Sequence, residues 1–242
     1  MILADTRHLL TRDDAQLAAR MLAEGGDDLE RLEARLSDDG IDAILDDPRL
    51  PAALLRDPRG AHASFRLFAY VMIRHALQRA GEGDRGLADY VSSIVVHFGF
   101  RDRAHRIAKG DDEVYDALVS LVDDINAGDP RRNFLVQTHL GNYSLWLSGI
   151  FPEYIEQRRW RRGGPDLEYY EEMGRRGFQL AADHQLAEEH GLATLYATAA
   201  ERFGILRMAL NTVSDSLFFP SLNTPERLMR QVRDEARWRR LT

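Results

Sequence analysis

The sequence predicts an all-α protein, an irregular multi-helix bundle of about eight to ten helices. Three observations carry this. Apolar residues recur at three- and four-residue spacing along most of the chain. Helix start and stop residues bracket those stretches. No run alternates as a half-buried strand does. Ser93-Ile94-Val95-Val96 is β-branched, but helical apolar residues flank it on both sides.

Taken in order, Thr11-Arg12-Asp13-Asp14 opens a helix that stops at Gly25-Gly26, and Asp28 opens a short charged one ending near Gly40. Pro48, Pro51 and Pro58 leave room for one or two short turns in 41–60. Residues 64–80 are apolar nearly all round (Phe65, Leu67, Phe68, Val71, Met72, Ile73, Leu77), as in a central, buried helix. Residues 87–98 form another. Residues 113–126 repeat the period with Val114, Leu118, Leu121, Val122 and Ile125. Pro130 suits the first turn of a helix over 131–150. Gly163-Gly164-Pro165 breaks the chain before a helix over 166–190. From Leu192 through Tyr196, Phe203 and Leu210 to Leu217, one apolar face persists for about seven turns. Thr224-Pro225-Glu226 starts a last helix to about Arg240. Composition and charge divide the chain into an acidic helical region, 1–60, packed on a main bundle, 61–242.

Composition excludes several chemistries. There is no cysteine, hence no disulfide, thiol nucleophile or thiolate metal site. Lys109 is the single lysine among 32 basic residues. Arginine stays protonated, so Schiff-base chemistry rests on Lys109 or is absent. The net charge of −7 lies wholly in residues 1–50, which hold 13 acidic and 6 basic side chains. That argues against a broad nucleic-acid footprint there. No stretch reaches the ~18 apolar residues of a membrane span, and the first residues lack a secretory pattern. A cytoplasmic protein with no cofactor and no membrane partner is expected.

Most apparent motifs fail on context. Gly81-Glu82-Gly83-Asp84-Arg85-Gly86 has dinucleotide-turn spacing, but it follows a helix and carries two acids, so it reads as a loop. Glu-x-x-His and His-x-x-x-His do not occur. His75, His97, His139 and His184 fall on four separate helices, and separate, locally satisfied histidines are expected. Asp183-His184 with Glu188 reads as a surface salt-bridge cluster. Thr11 to Arg20 resembles the first helix of a TetR-type repressor. The acidic, proline-broken sequence that follows, Asp38-Asp39-Gly40 and Asp46-Asp47-Pro48, cannot serve as a recognition helix against phosphate.

Residues 134–151 hold the candidate site. At 100° per residue, Gly141, Ser144 and Ser148 form a small face. His139, Asn142, Tyr143 and Trp146 lie roughly opposite, as a polar–aromatic ligand-binding candidate. The helix after Pro165 has its own small stripe, Gly174, Gly177 and Ala181, which predicts a tight crossing of the two helices. The run His139-Leu140-Gly141-Asn142-Tyr143-Ser144-Leu145-Trp146-Leu147-Ser148-Gly149-Ile150-Phe151-Pro152, with Tyr169-Tyr170 and Leu210-Asn211, resembles a group of uncharacterised all-helical bacterial proteins. The resemblance spans 130–217 and implies no activity.

Arg158-Arg159-Trp160-Arg161-Arg162 and the arginines of the last helix (Arg227, Arg230, Arg233, Arg237, Arg239, Arg240, with Trp238) form two basic patches. They are expected to pair with the chain's own acidic N-terminal region. The function these observations favour is a non-enzymatic binding, regulatory or scaffold protein with a protein partner. Two alternatives stand beside it: a ligand-binding protein or enzyme with a pocket around His139, and a nucleic-acid binder using the Arg/Trp patches.

Overall fold

A computed structural model describes residues 1–99, 129–218, 220–221 and 224–238. The helix expected over 113–126 and Lys109 lie outside them. The described residues contain thirteen α-helices and no strand, against the eight to ten helices expected. They fall into two compact units, Ile2–Phe100 and Arg101–Thr242. No described helix is long and apolar enough to cross a membrane.

The N-terminal unit holds α1 (Arg12–Leu22), α2 (Gly26–Asp38), α3 (Asp42–Leu45), α4 (Leu50–Arg56), a 3-10 turn (Pro58–His62), α5 (Phe65–Arg79) and α6 (Arg85–Phe98). Thr11 and Asp14 close a reciprocal capping box at the start of α1. Ala18, Ala19, Leu22, Leu32, Ile44, Leu45, Leu50 and Leu54 pack with Leu67, Tyr70 and Val71 of α5. Helices α1 to α4 thus share one core with α5. Helix α5 is buried on nearly every side from Leu67 to Leu77, as its all-round apolarity predicts. The glycine-spaced segment after it is a connection: Gly81 sits at φ 73°, and Asp84 caps α6 through the Gly86 and Leu87 amides. The N-terminal strap is tied down where the Arg7 amide donates to Asp89 Oδ1 (2.7 Å) and the Thr6 amide to Ser93 Oγ (3.2 Å).

The C-terminal unit holds α7 (Pro130–Ile150), α8 (Pro152–Arg162), α9 (Leu167–Ala182), α10 (Gln185–Glu189), α11 (Ala193–Glu201), α12 (Phe203–Val213), a π-helical turn (Ser214–Phe218) and α13 (Pro225–Trp238). Two helices read as continuous are each broken. The helix expected over 166–190 ends at Ala182, and His184 then caps α10 by accepting the Leu186 amide on Nδ1 (3.2 Å). The salt-bridge role expected for His184 gives way to this cap. The face expected to run unbroken over 192–217 kinks at Arg202. The kink has a packing reason: α11 lies on α9, whereas α12 crosses to α7. One apolar face therefore serves two neighbours pointing in different directions.

Candidate functional site

Helix α7 is the axis of the C-terminal unit. Pro130 occupies its first turn after the Asp129 cap, and Phe134 and nearly every residue from Val136 to Ile150 are buried. His139, Asn142 and Tyr143 are all buried, and Trp146 is half-buried. The structure brings the rings into a ladder along the helix. His139 stacks on Tyr143 with centroids 6.0 Å apart and planes 15° apart. Tyr143 meets Trp146 at 6.1 Å, and Trp146 meets Phe151 edge-on at 5.1 Å. Asn142 shares their side of the helix, and none of the four is free of partners.

The small face behind this ladder accounts for the glycines. A Cβ on Gly177 would come 2.7 Å from the Gly141 nitrogen and 2.9 Å from the Gln137 carbonyl. A Cβ on Gly141 would strike the Phe178 ring at 2.5 Å, and one on Gly174 would overlap Phe203 and Ser144. Helices α7 and α9 thus cross at backbone contact, as their glycine stripes predict. Glycine costs a helix about 1 kcal/mol relative to alanine, and here the close approach offsets it. On the next side Gly149 admits Leu210 of α12. Asn211 donates to the Ser148 and Gly149 carbonyls (2.8 Å each), and Ser214 Oγ to Ile150 O (2.6 Å). These bonds hold the end of α7 against the π-helical turn.

A buried polar network lies outside the residues that the sequence singles out. Arg207, 2% exposed, lies on α12 at the centre of the unit. Its guanidinium donates to Asn211 Oδ1 (2.6 Å), both Asp234 oxygens (2.6 and 3.1 Å) and Glu171 Oε2 (3.3 Å). Burial disfavours its charge, but Asp234 and Glu171 outweigh that and hold the proton more tightly than usual. A second knot lies beside it. Arg230, also buried, reaches Glu153 (3.0 Å) and Asp215 (2.7 Å), and Arg227 reaches Asp215 (3.1 Å). Arg233 lies 3.9 Å from Glu156. These pairs join α13 to α8, α12 and the π-helical turn.

Among the described residues, each unit holds ion pairs of its own. In the N-terminal unit Arg7 binds Asp42 (2.7 Å), while Arg74 and Arg85 bind Asp46 (2.9 and 2.5 Å). Burial opposes the Asp46 charge, but the two arginines more than compensate and lower its pKa. In the C-terminal unit Arg227, Arg230 and Arg233 of α13 use Glu153 and Glu156 of α8 and Asp215 of the π-helical turn. Arg227, Arg230 and Arg233, expected to pair with the acidic N-terminal residues, instead have these local partners, while the side chains of Arg237, Arg239 and Arg240 lie outside the described ones.

Among the described residues the histidines do not assemble. His75 bonds the Leu45 carbonyl through Nε2 (2.9 Å), and burial lowers its pKa. His184 is a helix cap against Phe134. Among the described residues no three His, Asp or Glu side chains converge as a metal-binding group.

Two surface features remain. On α8, Tyr154, Gln157, Arg158, Arg161 and Arg162 line a cleft of about 180 Å³, and Trp160 is 75% exposed. On α13, Leu228, Met229 and Val232 are 56–63% exposed while Arg227 and Arg230 point inward. Comparison with protein-family models, with curated proteins and with solved structures finds no match.

Proposed function

We propose that the chain works by binding, as a non-enzymatic helical scaffold or regulatory protein, and that α13 docks it onto a second copy of itself. The carrying observation is the inverted orientation of α13. Arg227 and Arg230 face the unit's interior, and Leu228, Met229 and Val232 form a stripe in solvent at i, i+1, i+4 spacing. A helix attached by ion pairs leaves its apolar face for something else to cover.

Charge favours a second copy as the cover. Glu226 and Arg233 are both exposed and seven residues apart, hence on one flank of the stripe. In an antiparallel pair centred on the stripe, each Glu226 falls opposite the partner's Arg233. The stripe then meets the same stripe on the other copy, with Leu228 of each chain near Val232 of the other, as a two-fold interface allows. One short helix face covers less than the ~1,200 Å² of a standard interface, so a weak dimer is expected.

Sedimentation velocity across a concentration series tests this. The expected result is a monomer–dimer equilibrium in the range of about 1–100 μM, abolished in Val232→Glu with unchanged helical circular dichroism. A chain that stays monomeric throughout, or a Val232→Glu chain that dimerises like the parent, overturns the proposal.

A further inference from the structure

We infer that the cleft on α8 is a binding site for a phosphate monoester. Its lining residues, Tyr154, Gln157, Arg158, Arg161 and Arg162, lie at i, i+3, i+4, i+7 and i+8, so one helix face supplies them all. Three guanidiniums thus converge on a concavity that also offers one amide and one phenol.

Among the described residues, little neutralises the charge there. Arg159, on another side of the helix, leans toward Asp166 at 4.0 Å. Arg207, Arg227 and Arg230 are consumed by Glu171, Asp234, Asp215 and Glu153. Arg158, Arg161 and Arg162 have no acid within ion-pair distance among the described residues. Basic residues in a last helical turn complement the helix dipole. That explains their sign, but it does not explain a cleft that gathers them with Tyr154 and Gln157.

Part of the site is fixed in advance. The chain reverses at Gly163 in a left-handed conformation (φ 65°), which brings Gly164 back onto α8. A Cβ on Gly164 would lie 3.3 Å from Arg158 Cγ. The returning backbone therefore confines the stem of Arg158, while Arg161 and Arg162 remain exposed and adjustable.

Size and charge select the ligand. About 180 Å³ holds a phosphoryl group and a small substituent, with the remainder of a larger molecule outside. Three arginine forks match the dianion and three terminal oxygens of a monoester better than the single charge of a diester. Tyr154 lies beside the charge, where an aromatic or apolar substituent can cover it.

Isothermal titration of the full chain with phenyl phosphate, inorganic phosphate and a single-stranded oligothymidylate separates the outcomes. Saturable phenyl phosphate binding is expected with Kd on the order of 1 mM or below, tighter than inorganic phosphate. The double variant Arg161→Gln/Arg162→Gln should weaken it about tenfold or more at unchanged circular dichroism, since both side chains are exposed. Tyr154→Ala should erase the advantage over inorganic phosphate. Binding should also weaken as pH falls through about 6, where a monoester gains its second proton. No saturable binding at about ten times that concentration overturns the inference. So does full binding by the double variant. Oligothymidylate binding that outcompetes the monoester overturns it in favour of a nucleic-acid surface.

Discussion

The two units place most of their ion pairs at different depths. The N-terminal unit closes its core with aliphatic residues, Tyr70, Tyr90 and Phe98, and sets its charge pairs toward the rim, with only Arg74 of the Asp46 cluster buried. Arg7–Asp42 and Arg85–Asp46 fasten loop ends to helices while remaining partly in water. The C-terminal unit puts charge inside: Arg207 and Arg230 stand nearly dry between α13 and the rest. At a rim, a pair adds little and its loss is tolerated. In an interior, the same pair can be neutral as a whole, yet removing one partner strands the other without solvent. The comparison teaches that the number of ion pairs says nothing about what each supports.

The largest effect should come from Arg207→Met. It leaves Glu171 and Asp234 without their main counter-charge and should cost about 3–5 kcal/mol, read as a fall in urea midpoint. A cost under about 1 kcal/mol would erase the contrast between the units. Next comes Gly177→Ala. The added methyl meets the α7 backbone, which cannot move aside as a flexible side chain could. Helices α7 and α9 must part, at about 1–3 kcal/mol after the gain in helix propensity. A stabilised Gly177→Ala chain would mean that the crossing is looser than the structure has it. The smallest effect belongs to Arg85→Ala. Its side chain is half exposed, and Arg74 still holds Asp46. Thermal unfolding should shift by no more than about 1 kcal/mol, and by less at high salt.

The sequence makes some of this legible. The stripe Gly174, Gly177 and Ala181 facing Gly141 and Ser144 announces the crossing, because glycine inside a helix needs a reason and close approach is the common one. Thr224-Pro225 marks the start of α13 because proline is tolerated only in a first turn. The break at Arg202 is not legible, since the apolar period runs straight through it and only the two partners of that face demand a kink. The ion-pair network is also hidden. Arg207 finds Glu171 36 positions away, Asp234 lies 27 away, and Arg230 reaches Glu153 across 77. No local spacing rule reaches so far. One signal is available: Arg207 sits within the mostly apolar run Phe203–Val213, where a buried charge must be paired. The His139 ladder was legible as a cluster, because residues one turn apart on a helix must meet. Its neighbours on other helices were not.

Helix α13 is fastened mainly by charge and shows its oily side to water, so the two common denaturants should act on it differently. Guanidinium chloride is itself a salt, with a cation that competes for the carboxylates of Asp215, Glu153 and Asp234. Urea is neutral and leaves those attractions unscreened while it loosens apolar packing. In guanidinium the helix should come away before the α7–α9 crossing yields. In urea it should hold until the crossing fails, so that one molecule unfolds in two stages in one solvent and in a single stage in the other.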